Sequence, residues 1–103
     1  MPSASLSEPA QGRVELSGEL DFSSVPQIWP RLQHLIEQQP QLELSLAQVS
    51  SSNSAALALL LEAVQAAASV NKRLLLQDLP SDLVDLAVLS NLDDVLGVSP
   101  PRR

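Results

Sequence analysis

Cysteine is absent from this 103-residue chain. Disulfides, thiol catalysis and thiolate metal sites are therefore excluded, which fits a reducing compartment. Aromatic side chains are almost missing as well. Phe22 and Trp29 make up the 2% aromatic content, so a core has to be assembled from Leu, Val and Ala. Glycine occurs three times, at the isolated positions Gly12, Gly18 and Gly97. No phosphate-cradling loop and no dinucleotide fingerprint can be built from them. Positive charge is sparse: 6 Lys and Arg face 12 Asp and Glu, for a net charge of −6. The basic residues form no stripe, which argues against a nucleic-acid backbone binder. The longest strongly apolar run, Ala55 to Leu61, falls far short of the ~20 residues that span a bilayer. Met1 to Ser7 has neither the positive nor the apolar region of a signal peptide. A soluble, cytoplasmic protein is the expectation.

What is present suffices for one domain. Hydrophobic residues make up 45% of the chain, and its length allows one core and not two. Residues 1–11 are small and polar, a loose N-terminus or an edge strand near Ala4–Ser7, with Gln11-Gly12 as a turn. Val14-Glu15-Leu16-Ser17 alternates as a half-buried strand ending at Gly18, with Glu19-Leu20-Asp21 as a loop. Ser23 and Ser24 offer N-caps for a first helix, with Pro26 in its first turn. Its apolar face is Val25, Ile28, Trp29, Leu32, Leu35 and Ile36. Pro30 implies a kink or a later start. Leu42, Leu44 and Leu46 mark a second strand that ends at Val49.

A polar hinge, Ser50-Ser51-Ser52-Asn53-Ser54, then precedes an Ala/Leu segment reaching Val70. Along that segment Glu62, Gln65 and Ser69 are the polar residues, so the helix is either buried between layers or covered by a partner. Asn71 suits its C-terminus. Leu74-Leu75-Leu76 reads as a central parallel strand covered on both faces. Ser81 caps a third helix, with Leu83, Leu86, Ala87 and Leu89 facing inward, and Asn91 ends it. Leu92, Val95, Leu96 and Val98 offer a last short element before a tail at 99–103. The single domain is placed at 12–98. Strands alternating with helices imply an α/β fold with a mostly parallel sheet and right-handed crossovers.

Candidate chemistry is thin. His34 falls with Gln27, Arg31 and Gln38 on the polar side of the first helix, the pattern of a solvated surface residue. No ligands or catalytic partners are placed near it. Asp82, Asp85, Asp93 and Asp94 read as helix-start and surface carboxylates. Glu19 and Asp21 flank a strand end, where ligands of open α/β sheets often bind. A serine nucleophile lacks a base. These readings predict no enzyme, no metal and no cofactor. What remains is the hinge. Ser54 or Asn53 can cap the helix, and a neighbouring serine then presents a free hydroxyl for docking or modification.

Two segments carry a family resemblance. Leu16-Ser17-Gly18-Glu19-Leu20-Asp21 resembles the first-strand signature of STAS domains, the fold of anti-sigma factor antagonists. Val49 through Leu57 is similar to their second signature, in which Asp-Ser/Thr-Ser/Thr/Gly-Gly-Leu follows a strand and opens a helix. Here Asn53 stands at the Asp position, Ser54 at the hydroxyl position, and Ala55 and Ala56 at the small positions. The segment Leu-Ser-Gly-Glu-Leu-Asp, Trp29 in the first helix and the run Leu57-Ala58-Leu59-Leu60-Leu61 resemble most closely the MlaB group. These are stand-alone STAS subunits of the ABC transporter that maintains outer-membrane lipid asymmetry.

The resemblance implies an α/β, SpoIIAA-like fold: a small, mostly parallel sheet with an N-terminal edge strand, packed against three to four helices. It implies a non-enzymatic subunit that binds and stabilises a MlaF-like ATPase, in a complex with a permease and a substrate-binding subunit. Such a subunit is cytoplasmic and peripheral to the inner membrane, without direct insertion and without nucleic acid. Its implied partner contacts are Ser52, Asn53, Ser54, Leu57, Ala58 and Glu62. The alternative that the family offers is an anti-sigma factor antagonist, with Ser54 as the phosphorylated residue.

Overall fold

The computed structural model describes residues 4–97. Val98 and the tail at 99–103, which the sequence reading placed in a last element and a tail, lie outside the described residues. The order is β1 (Ala4–Ala10), β2 (Arg13–Leu20), α1 (Val25–Gln38), β3 (Gln41–Ser52), α2 (Ser54–Ser69), β4 (Arg73–Gln77), α3 (Ser81–Leu89) and α4 (Asp93–Leu96). The sheet is ordered β1-β2-β3-β4. β1 pairs antiparallel with β2, and the β2–β3 and β3–β4 pairs are parallel. The expected α/β architecture, with its N-terminal edge strand and four helices, is what forms. Gly12 at φ +80° makes the β1–β2 turn, a backbone conformation that costs glycine little.

The strand order explains which face is covered. β2, β3 and β4 step across the sheet in one direction. Successive right-handed crossovers in one direction lay their helices on one face. Val14, Leu16, Leu20, Leu42, Leu44 and Leu46 are buried on that face beneath Ile28, Leu32 and Ile36 of α1 and Leu59, Leu60 and Ala63 of α2. Arg13, Glu15, Glu43 and Ser45 alternate with them on the open face. The Leu74-Leu75-Leu76 run is therefore not a central strand covered on both faces. β4 is an edge strand, and Leu75 is 39% exposed. A continuous apolar run does not by itself say whether a second helical layer exists.

Helix ends depart from the sequence reading in instructive ways. α1 runs through Pro30 to Gln38 without interruption, although a proline cannot supply the helical bond to the preceding turn. α2 ends as expected at Asn71, whose φ is +58°. Lys72 N–H reaches Ala67 O (2.8 Å) and Asn71 N–H reaches Ala68 O (3.1 Å), the pair of bonds that closes a Schellman motif. Asn91 repeats this at the end of α3, where Leu92 N–H reaches Ala87 O. Ser81 does not cap α3 but is its first residue, with Pro80 at the cap position. Leu89, expected inward, is 84% exposed. The inward face of this short helix is fulfilled by Leu83 and Ala87.

Candidate functional site

Both strands that lead into the site run further than their sequences suggest. β2 does not stop at Gly18. It passes through that residue (φ +87°) and continues to Leu20. β3 does not stop at Val49 either. Glu19 and Leu20 lie opposite Ser51 and Ser52, so the partner strand supplies the pairing that serines do not specify alone. Two register irregularities, between Glu15 and Ser17 and between Gly18 and Glu19, take up the extra residues of β3. The five-residue hinge shrinks to Asn53 alone.

Asn53 is the cap of α2. Its backbone is extended, and its side-chain oxygen accepts from Ala55 N–H at 2.8 Å. That satisfies one of the first helical donors, which lack partners within the helix. Ser54 is thereby released from capping. It is the first helical residue, exposed, and its hydroxyl makes no hydrogen bond within the described residues.

The helix behind it is one-sided. Ala55, Ala56, Leu57, Leu59, Leu60, Ala63 and Ala67 are buried. Ser54, Ala58, Glu62 and Gln65 form an exposed stripe at helical spacing, with Leu61 half-buried beside it. Of the expected contact residues, Asn53, Ser54, Ala58 and Glu62 are exposed and Ser52 is half-buried. Leu57 is not on this surface. It is 7% exposed and belongs to the core, three positions before buried Leu60 and on the same sheet-facing side of α2.

The loop from β2 to α1 forms the neighbouring wall. Ser24 holds the N-cap position of α1, as expected, but its side chain makes no capping bond there; Asp21, one turn earlier, supplies the acceptor. Its Oδ1 accepts from Ser23 N–H (2.9 Å), Ser24 N–H (2.9 Å) and the Ser23 hydroxyl (2.8 Å). Asp21 N–H in turn donates to Ser24 Oγ (3.0 Å), a reciprocal capping box. Val25 N–H donates to Asp21 O (3.0 Å), so the helical ladder starts at Asp21. Ser24 is buried and donates to Glu19 O (2.8 Å), tying the cap to the end of β2. The Ser23 hydroxyl, together with the Ser24 and Ser23 backbone donors, holds the Asp21 carboxyl below its ordinary value.

Between the two helices lies an apolar groove of about 230 Å³, lined by Val25, Pro26, Trp29, Ala58, Leu59 and Glu62. Phe22, in the Asp21 cap turn, is 72% exposed. The sequence reading assigned Trp29 to the inward face of α1 and gave Phe22 no role. Neither the groove nor the position of Phe22 next to the β2 end can be read from spacing within one helix. His34 lies exposed on α1. The arrangement supplies a free hydroxyl, a carboxylate and apolar contact area, the components of a docking surface.

Comparison with known proteins identifies the family and the fold. A family model described as "Mlab, STAS domain" matches residues 4–97. No curated protein matches the chain. Among solved structures, the anti-sigma factor antagonist SpoIIAA in its unphosphorylated form is similar over 97% of this chain and 89% of its own. The TM-score is 0.69 and the identity 19%. The phosphorylated form of SpoIIAA, described as a Bacillus cell fate determinant, gives the same TM-score and identity over 97% of this chain and 92% of its own. At that identity the likeness is one of fold. The family match over nearly its whole length places this chain, with its four-stranded SpoIIAA-like fold, in the MlaB-type STAS domain family.

Proposed function

We propose that this chain is a non-enzymatic accessory subunit that binds and stabilises the ATPase of an ABC transporter. That transporter moves phospholipids between inner and outer membranes and maintains outer-membrane lipid asymmetry. The observation that carries the reading is the division of labour at the start of α2. Asn53 does the capping, so Ser54 presents an unbonded hydroxyl at the head of the exposed stripe Ser54, Ala58, Glu62 and Gln65, whose first two residues are small, beside the groove that Trp29 lines. Small residues let a partner backbone approach closely, and a half-exposed Trp is the side-chain type most enriched among interface anchors. The match to the MlaB-type family supports the choice of an ABC ATPase as partner. The subunit works in the cytoplasm, held at the inner membrane through the complex with permease and substrate-binding subunits. It inserts no segment of its own and binds no nucleic acid.

Purifying the host's ABC ATPase subunit with and without this chain tests the reading. Co-purification and a higher yield of active ATPase are expected, and Ser54→Trp weakens association by adding bulk to a packed contact. Unchanged yield and unchanged ATPase activity would remove the proposal.

A second reading has its own support. A free serine hydroxyl at a helix N-terminus is a favourable place for a phosphate, and the fold is that of SpoIIAA, an anti-sigma factor antagonist solved in phosphorylated and unphosphorylated forms. In that reading the chain sequesters an anti-sigma factor until Ser54 is phosphorylated. A mass gain of one phosphate on Ser54, after incubation with an anti-sigma kinase of the host, decides for it. Failure of every such kinase to modify the chain decides against.

A further inference from the structure

The sheet has two outer edges, and the chain treats them differently. β1 is guarded. Pro9 removes a backbone donor, and a register irregularity falls between Ser7 and Ala10. Both devices discourage the addition of another strand. β4 has neither. Arg73 N–H donates inward to Pro40 O (3.3 Å). Backbone groups alternate along a strand, so those of Arg73, Leu75 and Gln77 face β3 while those of Leu74 and Leu76 face outward. Among the described residues no strand pairs with that outer edge. Between its polar ends the strand is three leucines, and Leu75 is partly exposed on the open face.

We propose that β4 is a dimerisation edge, on which two copies of this chain join antiparallel about a two-fold axis at Leu75. Charge selects the occupant and its direction. Lys72 and Arg73 precede the leucines, and Asp78 follows Gln77. Lys72 just before the strand and Asp78 just after it, at φ +58°, lie outside the ladder; in the two-fold arrangement the Lys72 end of each copy meets the Asp78 end of the other, and Arg73 lies opposite Gln77. Parallel addition would instead set the basic ends side by side, which is unfavourable. Asp78 is available, since its hydrogen bond within the described residues is a long one from the Ser45 hydroxyl (3.5 Å).

The same register satisfies the backbone. Leu74 of each copy faces Leu76 of the other as a hydrogen-bonded pair. Leu75 faces Leu75 as a non-hydrogen-bonded pair, the kind in which side chains come closest. The contact is isologous and closes at two copies. It is independent of the Ser54 surface and of either functional reading.

Sedimentation equilibrium of the purified full chain, from about 5 μM to about 1 mM, tests it. A reversible monomer–dimer equilibrium is expected. Leu75→Lys raises the dissociation constant at least about tenfold by opposing two cations at the axis. Circular dichroism shows the fold retained, because Leu75 lies outside the core. Lys72→Glu also weakens the dimer, by facing Asp78 with a like charge. Amide exchange gives a reading that needs no variant: Leu74 and Leu76 gain protection with concentration, whereas Leu75, already bonded to β3, does not. A monomer throughout the range would overturn the proposal. So would a dimer indifferent to both variants, or protection gained elsewhere.

Discussion

At Asn53 one side chain settles how its neighbour can be used. The cap bond to Ala55 N–H leaves Ser54 free. Asn53→Ala is expected to lower stability by about 1 kcal/mol. Asn53→Asp keeps the acceptor and adds a negative charge at the helix N-terminus, worth about 0.3–1 kcal/mol in the stabilising direction. Urea unfolding of the two variants beside the parent checks both signs.

Asp21 makes a pH-dependent version of the same argument. Its carboxyl is held below 3.8 by the Ser23 hydroxyl first, then by the Ser24 and Ser23 backbone donors. The folded state therefore binds the Asp21 proton less readily than the unfolded chain does. The stabilisation is complete above the ordinary value and is lost as pH falls through the lowered one. Asp21→Asn keeps an acceptor but cannot titrate. The parent should lose more stability than this variant between about pH 5 and about pH 2, measured by denaturant unfolding at each pH. Asp21 was legible as an interesting carboxylate at a strand end, but not as the capping acceptor. Ser23 and Ser24 are equally good cap residues by type, and only the bond from Ser24 to Glu19 O shows that its hydroxyl is turned away.

Among the elements, α1 carries a built-in weakness. Pro30 lies inside a continuous helix and leaves the Pro26 carbonyl without its usual donor. Pro30→Ala is expected to stabilise by about 1–2 kcal/mol, the helical gain being partly offset by a freer unfolded chain. A higher midpoint in thermal and urea unfolding, with partner binding retained, is the expected outcome. The sequence pattern placed α1, α2 and α3 correctly because periodicity is a property of each helix alone. Strand ends were harder. β2 and β3 lengthen one another through Glu19, Leu20, Ser51 and Ser52, and no segment contains that information by itself.

For the molecule as a whole, stability rests on leucine packed over one face of the sheet. Leu44 is fully buried between the strands and the helical layer, whereas Leu89 is largely exposed on α3. Leu44→Ala should cost about 2–5 kcal/mol, from lost burial plus the cavity left behind. Leu89→Ala should stay within about 0.5 kcal/mol. The same residue type thus separates by fold position, and paired urea titrations measure the difference.

The alternation of strands and helices, the leucine-built core and the asparagine ends of α2 and α3 follow from local order. Each depends on side-chain period or backbone preference within a few residues. The strand order, the bare face of β4, the inward turn of Leu57 and the groove between Trp29 and Ala58 do not. They arise where distant segments meet, and burial and pairing there are set by the partner as much as by the residue itself.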